Sequence, residues 1–189
     1  DPAGRGRLHS SRERTRAVNT YDFTLRFVLS EASLPMDDRL ERLAEAGCDD
    51  ALPGIGFPGS IALAFTRRAS SARSAVTSAL ADVADAMPDA TLIEAAPDLV
   101  GLTDVAEIMG FSRQNMRQLM LGGGPPAAHE GKPSLWHLSQ VLAWLAEARG
   151  YGVDAGLLEL AEVTMQLNLA VASGRADESL QQEIRALLG

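Results

Sequence analysis

Two arginines and two glutamines recur at helical spacing in the second half of the chain. Arg113 and Arg117 are four residues apart, as are Gln114 and Gln118, so each pair lies one turn apart on the same side of a helix. A guanidinium can donate two hydrogen bonds to O6 and N7 of guanine, and a glutamine amide can pair with N6 and N7 of adenine. No acidic residue interrupts residues 112–120. The pattern predicts a helix whose outer face reads base edges in duplex DNA.

The residues before and within this helix predict how it is held in place. Thr103 is expected to cap a first helix, and Ser112 is expected to cap the second, because hydroxyl side chains favour the position that precedes a helix. Gly110, between them, suits a left-handed turn residue. Two short helices joined by a glycine-containing turn form a helix-turn-helix unit. Ser112 and Asn115 would then be candidates for contacts to DNA phosphates.

A β-hairpin is predicted after the glycine- and proline-rich break at residues 122–126. Its strands would be residues 127–129 and 134–136, joined by a turn that contains Gly131. Lys132, at the tip, could approach a phosphate or the minor groove. A further helix is predicted after the hairpin, with Ser139 as its cap.

The helical segment Leu-Thr-Asp-Val-Ala-Glu-Ile-Met-Gly-Phe-Ser-Arg-Gln-Asn-Met-Arg-Gln-Leu is followed by Pro-Pro, the hairpin and Leu-Trp-His-Leu-Ser-Gln-Val-Leu-Ala-Trp-Leu. Together these motifs resemble the MerR-like and AlpA/excisionase-like winged helix-turn-helix proteins, over about residues 98–148. The resemblance implies a DNA-binding domain with a recognition helix and a wing. Gln140 stands where that family has the aspartate of an Asp-Val-x-x-Trp pattern, and the wing holds fewer arginines than is usual there.

The first half of the chain has a different pattern, without resemblance to a family that would assign it a ligand. From Tyr21 onward, apolar and polar residues alternate with a period of two, which indicates a strand. Further elements are predicted as a helix at 36–47, strands at 51–57 and 60–66, a helix at 70–87 and a strand at 91–93. The order strand, helix, strand, strand, helix, strand is that of ferredoxin-like folds, with two helices on one face of a four-stranded antiparallel sheet.

The chain therefore divides into four predicted segments within an α+β fold. Residues 1–19, with five arginines and two acids, are predicted to be a disordered basic tail. Residues 20–96 form the ferredoxin-like domain, residues 97–149 the winged helix-turn-helix, and residues 150–189 the C-terminal helices. The stretch from Asp154 to Gly174 is apolar around much of its circumference, which predicts a buried helix. A subunit interface is one place to bury it, and we expect these helices to mediate dimerisation.

Composition and charge limit the classes of function. The net charge of −8 is unusual for a protein that binds nucleic acid, but residues 98–149 carry four bases and five acids and are close to neutral. A single cysteine, Cys48, allows neither an internal disulfide nor a cysteine-based zinc site. The G-x-G-x-x-G match at residues 54–59 precedes a predicted strand, whereas a dinucleotide site needs a helix there. We expect no cofactor, no metal centre and no catalytic site.

The sequence thus favours a bacterial transcriptional regulator that binds double-stranded DNA, self-associates, and lies in the cytoplasm on the nucleoid, without a membrane segment. Two alternatives remain open. The chain could be an excisionase-like or antitoxin-like DNA-binding protein whose N-terminal domain binds a protein partner. It could also be a regulator whose N-terminal domain senses a small ligand.

Overall fold

The computed structural model describes residues 18–30 and 34–188, and it has the mixed α+β class that the sequence predicts. The predicted tail falls almost wholly on residues 1–17, which lie outside the described residues. The first half of the chain contains β1 (Asn19–Val28), α1 (Met36–Glu45), β2 (Ala51–Ile55), β3 (Ser60–Ala69), α2 (Ala72–Ala86) and β4 (Thr91–Ala96). The second half contains β5 (Leu99–Val100), α3 (Leu102–Met109), α4 (Arg113–Leu121), β6 (Trp136–His137), α5 (Leu138–Glu147), α6 (Ala155–Ser173) and α7 (Glu178–Leu188).

The first four strands form one antiparallel sheet in the order β2-β3-β1-β4, which confirms the predicted four-stranded antiparallel sheet. Strand β1 pairs with β3 along its whole length. Its alternate side chains are buried, as the period of two requires. On the buried face the rings of Phe23 and Phe65 stack with their centroids 5.1 Å apart. Helices α1, α2 and α6 pack on this face.

Two arginines lie inside the first half of the chain with their charges fully matched. Arg39 of α1 is 2% exposed and donates two hydrogen bonds to Asp89, at 2.6 and 3.1 Å. Arg67 of β3 is 7% exposed and donates to Asp50 at 2.7 and 2.9 Å and to Asp82 at 2.7 Å. Buried charges are tolerated only when they are paired in this way. These pairs join elements that are distant in sequence.

Helix α6 belongs to two hydrophobic cores. Leu160 is part of the core beneath the sheet, whereas Ala161, the next residue, is part of a second core formed with α3, α4 and α5. Asp154 caps α6 by accepting a hydrogen bond from Leu157 N at 2.7 Å. Its own chain therefore buries part of this helix, namely Leu160, Ala161 and Thr164, while Leu169 stays half exposed. In the described part of the chain, no helix is both long and apolar enough to cross a membrane.

A buried aspartate joins the sheet to the second half of the chain. Asp98 is 5% exposed; one of its carboxylate oxygens lies 2.6 Å from His137 Nδ1, and the other accepts from Asn168 at 2.7 Å. The Asn168 amide also bonds to both N and O of Ala95 at the edge of β4. It satisfies backbone groups that an edge strand would otherwise leave unpaired. The segment that leads into β5 is thereby held against α6.

Candidate nucleic-acid interface

Helices α3 and α4 are joined by a tight turn at Gly110. This residue has φ of +68°, a left-handed conformation that favours glycine. The next residue, Phe111, donates its N–H to Ala106 O at 2.8 Å, and its ring meets that of Tyr151 edge-on. Ser112 caps α4 as predicted, with its hydroxyl oxygen accepting from Asn115 N at 3.1 Å. The turn and the cap fix where α4 begins.

The predicted cap of α3 is wrong by two residues. The helix begins at Leu102 with Gly101 at the capping position, so that Thr103 lies inside the first turn. The carboxylate of Asp104 accepts from Gly101 N at 2.7 Å. The start of α3 is therefore held by an acid at its third residue, which binds the N–H of the capping residue, and not by a threonine hydroxyl.

Helix α4 presents one apolar face and one polar face. Met116 is fully buried, and Leu119 and Met120 pack against the second core. The side chains on the other faces of the helix are exposed. They are Ser112, Arg113, Gln114, Asn115, Arg117 and Gln118. The polar face thus projects away from the protein along the whole helix.

The predicted hairpin is present only as a loop closed by one β-bridge, between His129 and Leu135. Trp136 does not continue the hairpin. It belongs to β6, which pairs with β5 so that Val100 is opposite Trp136. Its indole N–H donates to Pro125 O at 3.1 Å and ties the start of the loop to the second core. The helix cap predicted at Ser139 is also wrong, because α5 begins at Leu138, whose predecessor His137 is the capping residue.

The glycines that end α4 turn the chain back towards the helix. A Cβ on Gly124 would lie 2.9 Å from the Cα of Met120, which leaves no room for a side chain there. Arg149 donates to the carbonyl of Gly122, and its guanidinium lies over the ring of Trp144. This basic residue is used to hold the end of α4 and is not free for a ligand.

Between α4 and the loop lies a cleft of about 750 Å³. Three of the predicted site residues line it: Arg113, Gln114 and Arg117. The opposite wall is formed by Pro125, Pro126 and Glu130, with Trp136 and Leu121 also contributing. The loop side of the cleft was missed in the sequence, where the Pro-Pro run was the only signal for it.

The other predicted site residues are exposed but do not line this cleft. Ser112, Asn115 and Gln118 lie elsewhere on α4, and Lys132 lies in the loop between the bridged residues. Lys132 therefore stands apart from the two arginines. The structure brings together only part of the predicted set.

The two arginines of the cleft have no internal partner. Within residues 18–30 and 34–188, neither Arg113 nor Arg117 makes an ion pair or a side-chain hydrogen bond to another residue. The first turn of α4 contains no acid. Glu130 contributes one negative charge to the cleft, so the cleft retains a net positive charge. An anionic or acceptor-rich ligand would meet unsatisfied donors here.

The arrangement offers hydrogen-bond donors on a solvent-facing helix. Among the described residues, no three His, Cys, Asp or Glu side chains converge in a way that could hold a metal ion. No protein-family model, curated protein or solved structure matches this chain.

Proposed function

We propose that this chain is a sequence-specific DNA-binding transcriptional regulator that acts on the nucleoid as a homodimer. In this proposal α3 and α4 form the helix-turn-helix and the loop at residues 122–135 is the wing. The sheet, α1 and α2 form a ferredoxin-like domain. The observation that carries the proposal is the pair of exposed, unpaired arginines on one face of α4.

The dimensions of α4 suit a major groove. A helix of nine residues is about 13 Å long, and the major groove, about 12 Å wide, admits an α-helix. Residues near the start of a recognition helix are the ones that reach base edges. Arg113 and Gln114 occupy that position, and Arg117 follows one turn later. Lys132 in the wing would contact the phosphate backbone beside the groove.

The acidic remainder of the chain is compatible with this interface. With a net charge of −8, most of the protein surface repels DNA. In this proposal the favourable approach is through α4, where Arg113 and Arg117 share one cleft with a single acid, Glu130. We expect the protein to bind nonspecific DNA weakly and to depend on base contacts for most of its affinity.

The test is selection of bound sequences from a random pool of duplex DNA, followed by measurements with variants. An enriched motif is expected, and Arg113→Ala or Arg117→Ala should each weaken binding to it by ~1–3 kcal/mol. Arg175→Ala, which removes the same charge from the turn between α6 and α7, is the matched control. Absence of an enriched motif, or arginine variants that bind like the control, would contradict the proposal.

A second candidate, the protein-partner alternative, is favoured by the exposed face of the sheet. Leu52 is 74% exposed and Phe57, in the turn between β2 and β3, is 83% exposed. Val28 of β1 is also exposed. Exposed apolar surface of this kind can mark a site of protein association. A stoichiometric partner that copurifies with the chain and is lost with Phe57→Ser would support it; retention of that partner by the variant would exclude this face. Sensing of a small ligand by this half remains a prediction.

A further inference from the structure

The last helix has an apolar face that its own chain covers only in part. Leu180, Ile184, Leu187 and Leu188 follow the spacing of one side of α7. Leu187 and Leu188 are more than 80% exposed, at 85% and 81%, and no residue of α7 is buried. Asp177 caps this helix by accepting from Leu180 N at 2.9 Å. The helix is therefore locally well formed, while Leu187 and Leu188 face solvent and Leu180 and Ile184 are only half-buried.

The same chain carries an apolar groove between α2 and α6, with a volume of about 730 Å³. Its floor and walls include Val76 and Leu80 of α2 and Val163 and Leu167 of α6. A groove between two helices is a common seat for a third, amphipathic helix, which inserts side chains spaced by three and four residues.

The charges at the rim of the groove match those that flank the apolar face of α7. Arg73 lines the groove from α2 and Glu162 lines it from α6. On α7, Glu183 lies on one side of the apolar face, and Arg185 lies on the other. None of these four side chains forms an ion pair within the described residues. A helix docked in one of the two possible directions would pair Glu183 with Arg73 and Arg185 with Glu162, so the charges select that direction.

We propose that α7 of one copy occupies the α2–α6 groove of a second copy, and that the exchange is reciprocal. Two equivalent contacts related by a two-fold axis fill both grooves and close the assembly at two chains. The inference gives a physical form to the homodimer of the proposed function. It does not depend on DNA, since α7 and the groove share no residue with the α4 cleft.

The first test is the mass in solution, measured by sedimentation over a range of concentrations. The unmodified chain is expected to be a dimer, and Ile184→Asp is expected to be monomeric because it places a charge in the centre of the apolar face. Gln182→Asp, on the opposite face of α7, is the matched control and should remain dimeric. A monomeric unmodified chain, or two variants that behave alike, would overturn the inference.

The second test is a charge exchange. Arg73→Glu should raise the dimer dissociation constant about tenfold, and Glu183→Arg should do the same. The chain that carries both changes restores opposite charges and should regain most of the affinity. If the loss of dimerisation free energy in the double variant equals the sum of the losses in the two single variants, these residues do not face each other.

The third test distinguishes a second copy from a fold-back of α7 within one chain. One chain carries Thr77→Cys at the groove, and a second chain, with a tag of different length, carries Gln181→Cys on α7. Both chains also carry Cys48→Ala. The two are mixed and treated with a short bismaleimide, which joins cysteines that lie close together. A cross-link between the two chains is expected. Cross-linking only within a chain that carries both cysteines would overturn the inference. Binding of one copy to DNA through α4 is measured in a separate experiment. A failed dimer test is therefore distinguishable from a failure of the proposed DNA binding.

Discussion

Two pairs of arginines, one in each half of the molecule, are placed in opposite environments. In the first half, Arg39 and Arg67 are buried, and aspartates from other elements occupy their donors. On α4, Arg113 and Arg117 are exposed and have no partner in the described part of the chain. The difference lies in the surroundings: carboxylates converge on the first pair, whereas none contacts the second. A guanidinium becomes a candidate for recognition only when its own chain leaves its donors free.

The largest expected effect is a loss of stability when a buried arginine is replaced. Arg67→Met removes the charge at similar volume and leaves Asp50 and Asp82 facing each other without a cation. We expect the free energy of unfolding to fall by about 3 kcal/mol, since losing one partner strands the other charges. Chemical denaturation measures this, with the neighbouring exposed Arg68→Met as control. Equal stability of the two variants would show that the buried pairs contribute nothing to the fold.

Replacing an exposed arginine should change DNA binding and leave the stability of the fold almost unchanged. Arg113→Lys retains the positive charge but cannot donate two parallel hydrogen bonds. We expect discrimination at one base pair to fall by ~1–3 kcal/mol, while the free energy of unfolding changes by less than about 0.5 kcal/mol. Competition binding against single-base variants of the selected motif measures the first quantity. Preserved discrimination in the lysine variant would mean that Arg113 contacts only phosphate.

A smaller effect concerns the pH dependence of stability. The hydrogen bond from Arg39 lowers the pKa of Asp89 below its ordinary value of 3.8. A carboxyl with a lowered pKa in the folded state stabilises the fold above its unfolded pKa, and that contribution is lost as the pH falls through the folded pKa. Denaturation between pH 6 and about 2 should therefore show a shallower loss for Asp89→Asn than for the unmodified chain. Asp85→Asn, at an exposed aspartate, should leave the curve unchanged.

The smallest effect is expected at the wing. If Lys132 contacts one phosphate, Lys132→Ala should reduce the salt dependence of binding by about one counterion and weaken all sequences equally. Binding constants measured across a series of salt concentrations report this slope. A change in sequence preference would instead place Lys132 near the bases.

The features predicted correctly from the sequence are those that depend on a few neighbouring residues. Gly110 and Ser112 act within a few residues of their own positions, and both have the predicted roles. Thr103 is not the cap because α3 begins one residue before it, at Leu102, and the Asp104 carboxylate accepts from Gly101 N at that start. Cap preferences alone do not show at which of several neighbouring residues a helix begins.

The pairing of strands that are distant in the chain could not be predicted from the pattern of apolar and polar residues. The hairpin prediction assigned Trp136 to a partner a few residues away, whereas it pairs with Val100. The apolar character of α6 predicted a buried helix, and the helix is buried on one side only, with Leu169 51% exposed. Apolarity also does not distinguish a core of the same chain from a second subunit. The cleft between α4 and the loop was hidden for the same reason. It depends on how β5 and β6 bring distant segments together.

The sharing of α6 between the two cores means that the unit of α3, α4 and α5 is not a removable module. A fragment limited to residues 97–149 would lose Ala161 from its interior and would expose the surface that α6 now covers. Any transplant of this unit into another protein would have to carry α6, whose Leu160 packs in the core beneath the sheet. Heating should accordingly melt both halves together, in one calorimetric transition.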